Sequence, residues 1–247
     1  MVRNINISNW IKNNYLITLI ILVGIVLRLY KIDDNLLSHH ELVTQCIMYY
    51  DQSLLEFFKV VGLDNSPPLY HLLTKLVLLV TGPELALNHG VLRFSSAVFG
   101  ILNIFIVYVL FKSRFGKKIA ILSSLQQAFF VTMIFYSAHA RSSAMFVFLS
   151  TISFVIWIDG LKEADKSNKH FLIFGLINFL NMMTHYFGII FFLCQLPFLL
   201  YANKGRNLLS YAVVTFVVVL LYFPWANEYV LARIFTMEDF WIPPVSM

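Results

Sequence analysis

Residues 36–45 read LLSHHELVTQ. His39, His40 and Glu41 stand in a row just beyond an apolar run, and side chains of these types can accept a proton near neutral pH. A local alternative competes. Ser38 followed three residues later by Glu41 is a capping-box pattern at a helix start. Taken alone, the stretch supports both a reaction centre at a membrane surface and a plain helix cap.

Other polar groups are hard to explain as loop decoration. Arg28 lies inside the first apolar run, where a charge is costly unless it snorkels or pairs, and both outcomes stay open. DNSPPLYHLL (64–73) opens a short helix with two prolines, which is ordinary at a first turn, and brings Asp64, Asn65 and His71 to one place. YSAHARSSAM (136–145) sets His139 and Arg141 between two apolar runs. Arg141 is either a snorkelling interfacial cation or a bidentate donor to an anion such as a lipid phosphate. THYFG (184–188) holds His185 close to membrane depth, where a lone histidine is more often hydrogen-bonded structure than a ligand. If 38–41, 64–71, 139–141 and 185 share one side, they converge on one outward cavity. Asp64, Tyr70, His139, Arg141 and His185 are then its candidates for binding substrate or phosphate. A divalent metal (Zn²⁺, Mg²⁺ or Mn²⁺) held by His39, His40, Glu41, His139 and His185 is a further reading, because these ligand types suit one.

The elements that must position these residues follow from composition. Of 247 residues, 59% are hydrophobic and 13% charged. Soluble domains are nearer half apolar and a quarter charged, and runs of about 18 apolar residues are long enough to span a bilayer as helices. The chain reads as an all-α, polytopic transmembrane bundle in one domain, 1–247. Its apolar runs lie at 15–32, 68–81, 90–111, 118–136, 142–158, 170–186, 187–202 and 208–225, giving about seven or eight membrane segments. The first run is too long for a signal-peptide core and lacks a cleavage site, so it reads as a retained anchor. A net charge of +5 falls in short clusters between the runs, as membrane-flanking loops require, and does not suggest nucleic acid. Cys46 and Cys194 form no metal or redox motif.

Lysine and arginine set the orientation. KSRFGKK (112–118), DGLKEADKSNKH (159–170) and NKGRN (203–207) fall on one side, the cytoplasm, which puts 136–141, 184–188 and the tail 226–247 outside. An inside N-terminus places 33–66 outside as well, provided that 68–81, short for a span, is a half-span or re-entrant helix. Within this first outer loop, apolar spacings of three and four residues from Leu42 to Tyr50 and from Leu54 to Phe58 give juxtamembrane amphipathic helices.

In order along the chain stand LRLY (27–30), HELVTQ (40–45), SPPLYHLL (66–73), LRFSSAVFG (92–100), RFGKK (114–118), YSAHAR (136–141), THYFG (184–188) and FPW (223–225). This series resembles the polytopic glycosyltransferases of the GT-C class, in the branch of protein-mannosyltransferase-like and aminoarabinose-transferase-like proteins, and covers nearly the whole chain. The resemblance implies a plasma-membrane enzyme of the cell envelope. It would move a mannose-like hexose or related sugar from a polyprenyl-phosphate donor to a lipid, glycan or protein acceptor on the outer face. A carboxylate of the first outer loop would act as base, and cations or a metal would meet the leaving phosphate.

By this match Glu41 keeps the second acid of the family's pair, and Arg141 keeps the arginine. His40 stands where the first acid belongs, His139 replaces the family's glutamate, and Ser66 replaces its histidine. Either catalysis is lost and the chain is an inactive scaffold or lipid-binding relative, or His40 shares the base role with Glu41. The chain also ends after WIPPVSM, earlier than such proteins usually do, which suggests a truncated product or a partial chain.

Overall fold

The computed structural model describes residues 14–30, 32–33, 36–49, 53–64, 66–162, 167–202 and 208–231. The polar N-terminal segment, most of the NKGRN and DGLKEADKSNKH charges and the end of the tail lie outside these residues. Among the described residues every regular element is helical. The helices are α1 (Tyr15–Leu29), α2 (His39–Tyr49), α3 (Leu54–Leu63), α4 (Leu69–Thr81), α5 (His89–Phe115), α6 (Lys117–Phe129), α7 (Val131–Ser137), α8 (Ser143–Lys162), α9 (Asn168–Met182), α10 (Phe187–Ala202) and α11 (Leu208–Trp225). A short 3-10 turn, Pro83–Leu87, precedes α5, and a π-helical turn, Ala226–Leu231, follows α11. The helices fall on the apolar runs, and the two amphipathic ones lie in the first loop as expected. The chain forms two compact units, Met1–Asp51 with Tyr70–Asp159, and Gln52–Leu69 with Gly160–Met247. No composition shift marked that division.

By length and hydropathy α5, α8 and the helix from Leu209 to Tyr229 can each cross a membrane, and α6 with α7 forms a fourth, bent candidate. Shorter apolar helices, α1, α4 and α10, occupy further runs. The chain is an integral membrane protein.

In the first unit α5 is the organising element. Asn88 caps it by accepting from the Val91 N–H at 2.9 Å, and the Asp33 carboxylate accepts from the Gly90 N–H at 2.7 Å, placing an anion at the positive helix end. Lys112 and Arg114 lie in its last turn, where cations suit the dipole. Gly116, at φ 86°, stops it in a conformation that favours glycine. At about 1.5 Å per residue, Arg93 and Arg114 stand about 32 Å apart along the axis, close to the ~30 Å hydrocarbon thickness. Arg114 pairs with Asp159 near the end of α8, Nη2 to Oδ2 2.6 Å. α1 runs antiparallel to α5, because Tyr108 donates to Asn14 Oδ1 at 2.6 Å and Arg93, at the opposite end, donates to the Ile32 carbonyl at 2.7 Å.

The face of α5 that meets its neighbours follows helical spacing: Arg93, Ser96, Gly100, Asn103, Ile104 and Val107 are all buried. Small and polar residues of this kind let helices approach closely and bond across a membrane interface.

The run 118–136, expected as one span, is broken. Phe130 leaves helical geometry (ψ 122°), and α6 and α7 meet at 59°. The carbonyls freed at the end of α6 find their donors on Arg28. Nη2 reaches the Gln127 carbonyl at 2.6 Å and Nη1 the Ala128 carbonyl at 3.2 Å. Arg28 is therefore buried and bonded, not snorkelling.

α2 also corrects the sequence pattern. Its buried face is Glu41, Thr44, Ile47 and Met48, while Leu42, Cys46 and Tyr49 are exposed. A carboxylate sits on the inward face because a guanidinium waits there. The outward apolar stripe suits a helix lying in the membrane interface.

The second unit is held by aromatic and close-packed contacts. Phe171 and Phe174 meet Tyr211 edge-on, with ring centroids 4.9 and 5.8 Å apart. Gly175 lets α9 pack on Val214 of α11, and Gly62 of α3 lies against the Tyr229 ring. The Leu69 N–H, just after the two prolines, bonds the Met183 carbonyl at 3.0 Å.

Candidate functional site at the head of α5

The Ser38–Glu41 capping box forms. The Glu41 N–H donates to Ser38 Oγ at 3.4 Å, and the Ser38 N–H donates to Glu41 Oε2 at 3.0 Å. Ser53 and Glu56 build the same box on α3, in solvent and with no arginine in it. Glu41 does more than cap. Its side chain is 0% exposed and paired with Arg93, Nε to Oε1 2.8 Å and Nη2 to Oε2 3.2 Å. The Ala140 N–H, from the YSAHAR segment, donates to Oε1 at 2.9 Å, and the Ser38 hydroxyl lies 3.1 Å from Oε2.

Burial pushes the Glu41 carboxyl up, but the Arg93 hydrogen bonds and charge, with the Ala140 and Ser38 N–H groups, outweigh it and hold the group at about 2. Both oxygens are already engaged by donors. Arg93 also donates to the Leu36 carbonyl at 3.3 Å, so one guanidinium ties α5 to the loop before α2 and to α2 itself.

A second network lies alongside. The Tyr70 hydroxyl is 2.8 Å from Ser96 Oγ, and Ser96 Oγ is 2.9 Å from the Arg141 carbonyl. Tyr70 is wholly buried, so its hydroxyl serves this bond. The half-buried Arg141 side chain reaches toward the His40 carbonyl, 3.5 Å from Nη1. His39 and His40 are exposed, with rings 5.8 Å apart. His139 stacks on Phe135 at 3.9 Å, and its Nδ1 lies 2.8 Å from the Phe135 carbonyl. A carbonyl only accepts, so Nδ1 carries the proton and Nε2 of the neutral ring is the acceptor.

The first unit thus brings together Glu41, His40, Tyr70, His139 and Arg141. Asp64 and His185 belong to the second unit. Asp64 closes α3, and its N–H bonds the Val61 carbonyl at 3.1 Å. His185 Nδ1 accepts from the Phe187 N–H at 3.2 Å, at the start of α10, which puts the proton of its neutral ring on Nε2. Gly188 bonds the His185 carbonyl and lies so close to the Asn181–Met182 backbone that a Cβ would stand 2.7 Å from it. Within its own unit, THYFG is a helix-joining turn.

Among the described residues no three His, Cys, Asp or Glu side chains are placed to hold an ion. Glu41, the anionic member of the expected set, spends its oxygens on Arg93 and on N–H donors, which a cation would have to displace.

Sequence reasoning missed Arg93 and Ser96. Both lie in LRFSSAVFG, whose buried face carries an arginine and a serine at helical spacing inside an apolar run. That pattern was the available signal.

Residues 65–226 match the dolichyl-phosphate-mannose-protein mannosyltransferase family. No curated protein and no solved structure matches the chain.

Proposed function

The chain belongs to the dolichyl-phosphate-mannose-protein mannosyltransferase family, one of membrane glycosyltransferases of the GT-C type, and on that premise we propose that it moves a hexose from a polyprenyl-phosphate donor to a lipid, glycan or protein acceptor at the outer face of the plasma membrane. The observation that carries the reading is the Glu41 network. It gathers the HHE segment, the head of α5 and the YSAHAR loop at one point, so that His40, His139 and Arg141 stand around a fixed frame.

Each group then has a task. His40, exposed beside the frame, accepts the proton of the acceptor hydroxyl or amine as that atom attacks the anomeric carbon. The bond from that carbon to the phosphate oxygen breaks, and the lipid phosphate leaves with the electron pair. Arg141 meets the developing charge with a bidentate fork, and His139, whose Nε2 accepts, takes a hydroxyl of the bound sugar. Glu41 is the positioning carboxylate, because its oxygens are engaged and its pKa of about 2 makes it a weak base. Tyr70 holds the Arg141 segment through Ser96.

The test is transfer of radiolabelled mannose from a polyprenyl-phosphate donor to membrane acceptors by the purified chain. His40→Ala and Arg141→Ala should each remove most turnover, and His40→Asp, which puts an acid where the family has one, should retain or raise it. The filled coordination of Glu41 and the histidine at position 40 favour one rival, a donor-binding protein without turnover. Saturable donor binding with no transfer from wild type or His40→Asp would establish the rival and sink the catalytic reading.

A further inference from the structure

Arg28 lies in α1 and His40 and Glu41 lie in α2, yet the bonds of Arg28 lead there. The side chain is 1% exposed, in the first apolar helix. Its partners are Ser137 Oγ at 3.1 Å, the Gly24 and Ala128 carbonyls at 3.2 Å and the Gln127 carbonyl at 2.6 Å. Two of these are carbonyls in the last turn of α6, and one is the hydroxyl at the last residue of α7. A single fork therefore ties the end of α6 to the end of α7, across the break and the helix between them. Gly100 of α5 makes the grip fit, because a Cβ there would run into Ser137 Oγ and lie 3.0 Å from Arg28 Nε. Asn103, one turn further along α5, donates to the Gln127 side chain at 2.9 Å and steadies the same joint.

The far end of α7 runs straight into the site. Ser137 accepts from Arg28, and its hydroxyl donates to the Met133 carbonyl at 2.6 Å. Three residues later the Ala140 N–H meets Glu41, and the next residue is Arg141. Seven residues of helix form a short strut of about 10 Å, too stiff to absorb a shift at one end. The space beside Arg28, lined also by Asn103, Gln127, Tyr136 and Ser137, is only about 10 Å³. That is room for about one water and no substrate, so the cluster holds rather than binds.

We propose that Arg28 is a positioning residue for the site at the head of α5, clamping α7 so that Ala140 and Arg141 stand against Glu41 and His40. Its kinetic consequence rests on the sugar-transfer reading, and its structural consequence does not.

The experiment places a cysteine at the half-buried Ala138, in a full-length chain carrying Cys46→Ser and Cys194→Ser, and measures maleimide labelling in nanodiscs. Arg28→Gln should speed labelling by about tenfold, as expected when a charged hydrogen bond holding a local opening is lost. Arg28→Lys, which keeps charge without the fork, should recover only part. Ser137→Ala should give a smaller rise, and it decides the matter if Arg28→Gln does not fold. Ile17→Ala, which loosens the same helix three turns away, should change labelling little. Unchanged labelling in the Arg28 and Ser137 variants, or an equal rise with Ile17→Ala, overturns the clamp. With donor, Arg28→Gln should raise KM more than it lowers kcat. A wild-type chain without transfer, whose labelling still responds to Arg28, would retain the clamp and lose the sugar-transfer reading.

Discussion

Arg93 grips both oxygens of Glu41, Nε at 2.8 Å and Nη2 at 3.2 Å, and both side chains are almost wholly buried. A buried pair is weak evidence of net stability by itself, but removing one partner strands the other charge, at a cost of about 3–5 kcal/mol. Arg93→Met should therefore lower the melting temperature sharply in detergent. Arg93→Met combined with Glu41→Gln should recover part of the loss, because no carboxylate is then left unpaired. Equal loss in the single and double variants would argue that Arg93 acts mainly through Ile32 and Leu36.

Acid should act through the same pair. The folded Glu41 carboxyl titrates at about 2, below the usual carboxylate value of about 4. A lowered folded pKa gives stability that is present above about pH 4 and is lost as pH falls toward 2. Melting temperature measured from pH 6 downward should show the wild-type advantage over Glu41→Gln constant to about pH 4 and shrinking below it.

Gly188 should tolerate no side chain. A Cβ would lie 2.7 Å from the backbone of Asn181 and Met182, which cannot give way like a flexible side chain. Gly188→Ala should destabilise by about 1–3 kcal/mol through overpacking, read as a lowered melting temperature. Gly116→Ala, with open space around its Cβ position but φ 86°, separates backbone strain from packing.

Arg141 should matter to an anion more than to the fold. Its carbonyl, not its guanidinium, takes the Ser96 bond. Arg141→Ala should weaken binding of a polyprenyl phosphate by about 10-fold to 100-fold, the value of a hydrogen bond to a charged group, with a small change in melting temperature. A large melting shift with unchanged phosphate affinity would place Arg141 in the scaffold instead.

The sequence by itself determined the helices and the likeness. Apolar runs set where helices lie, because a bilayer leaves buried backbone few other ways to satisfy its hydrogen bonds. The Ser38–Glu41 cap was legible because both partners lie within one turn, and the motif series pointed to the family that residues 65–226 match. Tertiary structure decided what depends on partners far apart in the chain. Glu41 reads as an open carboxylate until Arg93, 52 residues away, and the Ala140 N–H, 99 residues away, arrive to fill its oxygens. Arg28 could snorkel or pair by sequence, and the break after Phe129 decides for pairing by offering it two carbonyls. That break is invisible in a run of apolar residues, because hydropathy records what a segment buries and says nothing of which carbonyls it will leave unpaired. Ligand type alone put Glu41 in the metal set, whereas only the tertiary structure shows its two oxygens bonded to the guanidinium of Arg93.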